Sequence, residues 1–319
     1  MGYKVTFNNK NKIFFNALKA EVDAYFERNG IKKTGNWKLY LKTMILIPSA
    51  IGIYSLLMFV QMPTLLSIFL WFLFGLNMAA IGFNIMHDAC HGSFSTKGWI
   101  NNMPFLRQCS TQPLKPMHRF QSAYMFVLYG FTSLFMFFMD YIKYFSKKVY
   151  TTALKPMDFK EHFMFWVGKL FFIAFYIVLP IMLIGWKWWL AGFIISQFTL
   201  GLTLAIVFQL AHVVEHAEFD SAGVDPVKIE NEWAIHQVKT TANFAFSNKL
   251  VTWFVGGLNY QIEHHLFPRI SHIHYPAISK IVKETCEKFD LNYIYFPTTR
   301  SAIASHVRFM HNMGIGKSA

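Results

Sequence analysis

Six of the chain's 13 histidines fall into three tight clusters. They are His87-Asp88-Ala89-Cys90-His91, His212-Val213-Val214-Glu215-His216 and Gln261-Ile262-Glu263-His264-His265. Imidazole is the commonest side-chain metal ligand. On a helix, a four-residue spacing stacks two rings on one face, roughly 5–6 Å apart. The first two clusters would therefore each offer a pair of nitrogens to one metal ion. Each cluster also carries a carboxylate (Asp88, Glu215 or Glu263) that could accept a ligating ring's second N–H and fix its tautomer. Imidazole-rich sets serve iron, zinc, copper or nickel, so ligand type leaves the metal open. One such pair on an apolar helix is more often packing than chemistry. Three clusters beside the ends of apolar segments predict a shared metal site of His87, His91, His212, His216, His264 and His265. His236, between the second and third clusters, is a further candidate for a ligand or a supporting group. The other six, His118, His162, His272, His274, His306 and His311, lie in basic surroundings and read as solvated or head-group contacts.

A shared site requires the clusters to meet on one side of whatever positions them. Four stretches are long and apolar enough to cross a hydrocarbon core, which takes about 20 helical residues. They are Leu41–Val60, Thr64–Ile85, Phe163–Ile184 and Trp188–Ala211. The links Gln61-Met62-Pro63 and Gly185-Trp186-Lys187 are short enough to make two antiparallel hairpins. Their tips hold one lysine between them, whereas nearly all other Lys and Arg lie in the N-terminal segment, the middle loop and the C-terminal third. The positive-inside bias puts those three regions in the cytoplasm. A fifth apolar run, Ala123–Met139, would separate His87 from His212 if it crossed fully, so it is expected to be interfacial or re-entrant. Beyond His216 the chain is more polar, with helix and loop signals and no repeat or long linker. The expectation is one all-α domain over residues 1–319: a polytopic membrane protein, four transmembrane helices in two hairpins with a cytosolic helical cap.

Composition agrees. Hydrophobic residues make up 54%, aromatics 18% and charged residues only 15%, with 35 phenylalanines. A soluble domain carries about 25% charged residues. The net charge of +13 would also suit a nucleic-acid binder, but the basic residues flank apolar stretches instead of forming a stripe with exposed aromatics. Nucleic acid is not an expected partner. Three cysteines without CxxC spacing point to a reducing compartment and no disulfide framework.

The run Asn84 to Ser93, the segment Gln209 to His216, and above all Gly256-Gly257-Leu258-Asn259-Tyr260-Gln261-Ile262-Glu263-His264-His265-Leu266-Phe267-Pro268 resemble the membrane fatty acid desaturases. The similarity is to the front-end acyl desaturases, including those called linoleoyl-CoA desaturases, whose third box opens with Gln. The resemblance implies two non-haem irons in a cytosolic cap, and dioxygen with two electrons removing hydrogens from adjacent methylenes of a long acyl-CoA or acyl-lipid. Carried over, His87 and His91 are first-box ligands, His264 and His265 third-box ligands, and His216 with His212 the extra ligand position. Gln261 becomes a weak or water-mediated ligand. The electron donor, of cytochrome b5 or ferredoxin type, would be a separate protein, because no His-Pro-Gly-Gly haem motif is present.

The family's second box, HxxHH or close to it, is missing from this sequence. Trp99-Ile100-Asn101-Asn102 resembles the residues before that box and Lys115-Pro116-Met117-His118-Arg119 the stretch after it, with the junction near 103–104. An in-frame loss of a few dozen residues explains this and removes about three imidazoles. Six imidazoles hold one metal well or two poorly, so weak or absent catalysis is expected of this chain. Three rival readings stand beside this one. His212 to His216 fits the H-x-x-E-H pattern of inverted zinc peptidases, with Glu215 as base. A related histidine-box oxidase such as a hydroxylase is the second. The third is a non-catalytic remnant that binds a partner.

Overall fold

The computed structural model describes residues 6–7, 12–86, 105–110, 112–149, 152–217, 228–229 and 232–317. Four helical stretches in it are long and apolar enough to cross a membrane: Trp37–Phe59, Thr64–Met86, Phe159–Ile184 and Trp186–His212. Each matches one of the four apolar stretches read from the sequence. The third starts earlier than hydropathy alone suggests because Asp158 caps it: Glu161 N–H donates to Asp158 Oδ1 at 2.7 Å and Asp158 N–H to Glu161 Oε2 at 2.9 Å. This reciprocal pair satisfies two donors that a helix start leaves open. The fifth apolar run becomes two helices, bent by 65° at Phe131.

The described helices are α1 (Ile13–Arg28), α2 (Trp37–Phe59), α3 (Thr64–Ile81), α4 (Gln121–Gly130), α5 (Thr132–Ser146), α6 (Phe159–Ile173), α7 (Leu179–Ile184), α8 (Trp186–His212), α9 (Trp233–Lys239), α10 (Lys249–Phe254), α11 (Gln261–Leu266), α12 (Tyr275–Lys288) and α13 (Thr299–Gly314). π-Helical turns follow α3 at Gly82–Met86 and α6 at Ala174–Val178. Strands are two-residue pieces: β1 (Thr6–Phe7) pairs with β4 (Lys228–Ile229), β2 (Lys148–Val149) with β3 (Thr152–Ala153), and β5 (Asn243–Phe244) with β6 (Tyr295–Phe296).

Two compact units divide the chain. The first comprises residues Ile45–Ala79 and Val127–Ala205. Helices embedded in lipid gain little from apolar burial, so small residues that allow close approach hold them together. Here a Cβ on Gly75 would stand 2.5 Å from the Ser196 carbonyl oxygen, and one on Gly201 would overlap the Gly130 carbonyl. Backbone polar groups must be satisfied internally. Pro180 cannot donate to the Tyr176 carbonyl four residues back, and the indole N–H of Trp189 donates to that oxygen at 2.9 Å. The neighbouring Phe175 carbonyl accepts from the Tyr54 hydroxyl. On α5, Asp140 pairs with Lys169 of α6 at 2.8 Å, and the ammonium lies over the rings of Phe137, Tyr141 and Phe165.

The second unit, Tyr3–Met44, Ala80–Phe126 and Ile206–Ala319, carries every described histidine except His162. Its core joins α1 to α12: Phe14, Leu18, Val22 and Phe26, spaced by fours, meet Tyr275, Ile278, Val282 and Cys286. Ala234, Val238, Ile262 and Leu266 complete the cluster. Each large side chain buried this way contributes about 1.5–3 kcal/mol, so packing more than helix propensity holds α1 in place. A second knot forms around Lys42, which is only 7% exposed. Its ammonium donates to Asn84 Oδ1 at 2.9 Å and to the Trp253 carbonyl at 3.2 Å, and lies 3.0 Å from His272 Nε2. Asn84 in turn donates to the Ala80 and Phe254 carbonyls. The π-turn at residues 82–86 is thereby tied to the C-terminal end of α10.

Candidate metal centre

His87, Asp88 and His91 of the first cluster, and the junction at 103–104, lie outside the described residues. The second and third clusters meet within the second unit. The His212 and His265 ring centroids are 5.0 Å apart, and those of His264 and His265 5.6 Å apart. A metal bound at about 2.1 Å from an imidazole nitrogen lies roughly 3 Å from the ring centre. Two rings sharing one ion can therefore stand 5–6 Å apart.

Each ring is oriented through a nitrogen already committed. His265 Nδ1 is 2.9 Å from Gln237 Oε1, and His264 Nδ1 is 3.2 Å from the Tyr275 hydroxyl. His212 hydrogen-bonds the Thr240 backbone. A ring tied through Nδ1 presents Nε2 to a metal, which is the usual arrangement for ligating histidines. Gln261 is 1% exposed and its Nε2 has no hydrogen-bond partner. That atom is a hydrogen-bond donor, so what it calls for is an acceptor such as a water or a polar ligand, not a cation. The imidazole nitrogens are of a type that suits a divalent metal. Among the described residues, however, no group of three or more His, Cys, Asp or Glu is close enough to hold an ion.

α11 is held as a unit by Glu263, fully buried at 0% exposure. Glu263 Oε2 accepts from Asn243 Nδ2 at 2.8 Å and Oε1 from the Tyr293 hydroxyl at 2.7 Å, while Asn243 Oδ1 accepts the Ile262 N–H at 3.0 Å. Burial pushes the Glu263 carboxyl up to about 7, opposed by those two donors. In these bonds Glu263 anchors the helix instead of orienting a histidine.

The second cluster departs from the helical reading. α8 ends at His212, and Val213 to Ala217 form a turn in which His216 has φ 71° and is exposed. His216 therefore does not stack on His212. Glu215 is held by Arg308, whose Nε lies 3.1 Å from both carboxylate oxygens and whose Nη2 is 2.7 Å from Oε2. That guanidinium keeps the carboxyl below its ordinary range. A carboxylate so occupied is poorly placed as the general base of a peptidase.

His236 is buried on α9, one residue before Gln237. His118, His272, His274 and His306 are also buried, at 2–8% exposure, which corrects the expectation of solvated or head-group contacts. Of those six scattered histidines, His311 is exposed and His162 is half-buried against the Tyr144 hydroxyl. Their basic neighbours in sequence say nothing about which face of a helix meets the core. Gln237, Tyr275 and Asn243 were not singled out from the sequence. Gln237 and Tyr275 each follow a histidine in sequence, but they bond histidines of α11 instead, so only the fold reveals their role.

The fatty acid desaturase family matches residues 104–297. This chain belongs to that family. The desaturase is 30% identical to the sn-1 linoleoyl-lipid 6-desaturase of Synechocystis sp., over 94% of this chain and 95% of the relative, in a comparison 349 positions long. The corresponding protein of Arthrospira platensis is 32% identical, over 98% of this chain and 95% of its own length. The acyl-lipid (8-3)-desaturase of Physcomitrium patens is 30% identical, over 96% and 72%. No solved structure matches the desaturase. Family membership makes it an oxidoreductase of fatty acids, in keeping with its four membrane-length helices.

Proposed function

We propose that residues 1–319 form one bilayer-embedded acyl-lipid desaturase scaffold whose histidine centre faces the cytosol but is short of the imidazoles that two irons require, so that its oxidative turnover is weak or absent. The observation that carries this reading is the approach of His212 on α8 to His265 on α11, next to His264, with the rings oriented by Thr240, Gln237 and Tyr275. Iron at these rings, together with His87 and His91, would supply dioxygen-dependent removal of two hydrogens from adjacent methylenes, with electrons from a separate cytochrome b5- or ferredoxin-type protein. The chain's own residues orient the rings and keep α11 in register, and Gln261 offers a weak additional donor.

Two further observations support the incompleteness. The comparison with the Synechocystis protein spans 349 positions yet uses 94% of a 319-residue chain, about 300 residues. About fifty internal positions of the relative therefore have no counterpart here. The family match also starts at residue 104, where the sequence skips the second box. The reading is tested by elemental analysis of the purified full chain and by fatty-acid profiling of a host that expresses it with an electron donor. At most one iron per chain, with few or no new double bonds, is expected. Two irons per chain with abundant new double bonds would overturn the incompleteness. Metal content unchanged by His212→Ala and His265→Ala would overturn the site.

A further inference from the structure

α8 stops at His212 although nothing in Val213-Val214-Glu215 is a helix breaker. The cause lies about ninety residues away. His306 of α13, 2% exposed, places Nδ1 2.6 Å from the Val213 carbonyl oxygen. A carbonyl can only accept, so Nδ1 carries the proton. Ser305, fully buried, accepts the Glu215 N–H on its hydroxyl at 3.0 Å. Arg308 takes the Glu215 carboxylate. Three side chains of α13 thus satisfy the carbonyl, the amide and the side chain of a turn that has left the helix. A helix end with orphan carbonyls needs such partners.

We propose that His306 is a positioning residue for the metal centre: by capping the end of α8 it fixes the direction from which the His212 ring approaches His265. This rests on His212 being a ligand, as proposed above.

The test uses the full chain in micelles, with Co(II) as probe, read by its visible absorption, and with hydrogen exchange of the 209–217 peptides. His306→Leu removes the donor. His306→Asn puts an amide N–H close to where Nδ1 was. The expected result is at least tenfold weaker Co(II) binding and faster 209–217 exchange in His306→Leu, with affinity within about threefold of wild type in His306→Asn. A merely structural role would not separate the two variants. Equal affinities in wild type and His306→Leu overturn the proposal, as does His306→Asn behaving like His306→Leu. If His306→Leu fails to fold, Arg308→Gln against Arg308→Lys, at an exposed position, must show the same ordering, or the proposal falls. Should wild type bind no Co(II), the metal reading itself fails, while unchanged 209–217 exchange in His306→Leu separately refutes the cap.

Discussion

Replacing Lys42 with Met probes the knot that ties the π-turn at residues 82–86 to the C-terminal end of α10. Methionine fills nearly the same volume, so the loss is of hydrogen bonds more than of packing. The change leaves the Asn84 Oδ1 and the Trp253 carbonyl without the ammonium that lies 2.9 and 3.2 Å away, and removes it from His272 at 3.0 Å. A buried acceptor stripped of its donor costs about 1–3 kcal/mol, which for three acceptors gives roughly 3–9 kcal/mol. Relief from burying an ammonium, itself several kcal/mol, offsets part of that. The net expectation is a loss of about 2–5 kcal/mol. Reversible urea unfolding in micelles, followed by far-ultraviolet circular dichroism, measures it. Asn84→Leu alone removes another member of the same knot, so the double variant should lose at least about 1.5 kcal/mol less than the sum of the singles. A Lys42→Met cost below about 1 kcal/mol, or strict additivity with Asn84→Leu, would refute the reasoning.

Two other expectations concern the second unit. Gly256 has φ 59°, and a Cβ there would stand 2.6 Å from the Phe83 carbonyl oxygen. Left-handed backbone costs a non-glycine residue about 1–2 kcal/mol before any clash, so Gly256→Ala should lower stability by at least about 2 kcal/mol in the same unfolding assay, and a melting profile identical to wild type would contradict the contact. Cys286 is fully buried, and burial, reinforced by Glu263 and Glu287, pushes its thiol up to about 12. At pH 8 it should resist maleimide labelling, followed by mass spectrometry, until denaturant is added; rapid labelling of the native chain would show that the α1–α12 core is open.

The spans were legible because about twenty apolar residues in a row have few other uses, and their ends were marked by local signals. Asp158 and Glu161 spell a capping box that hydropathy alone overlooks. The second π-turn has a visible cause in Pro180; the first, at residues 82–86, is held by its own Asn84 together with Lys42, some forty residues earlier in the chain. Histidine spacing singled out the three segments, but it could not say which rings would meet. His212 and His265 approach each other because α8 and α11 converge, and no spacing encodes that. His216 falls away because α13 captures the turn before it. The carboxylates were misjudged for a related reason: Glu263 and Glu215 looked like partners for imidazole, yet Tyr293, Asn243 and Arg308 reach them first.

The glycine seams of the first unit, Gly75 against Ser196 and Gly201 against Gly130, bear on calorimetry. Helices that fit by shape in an oily solvent expose little new surface to water when they separate, and water-exposed apolar surface is what raises heat capacity. The second unit, with its α1–α12 core closed against solvent, must absorb far more heat per degree as it opens. Warming the chain in lipid should therefore produce one strongly curved stability profile and one nearly straight one, a thermal signature that tells the two halves of the molecule apart without any label.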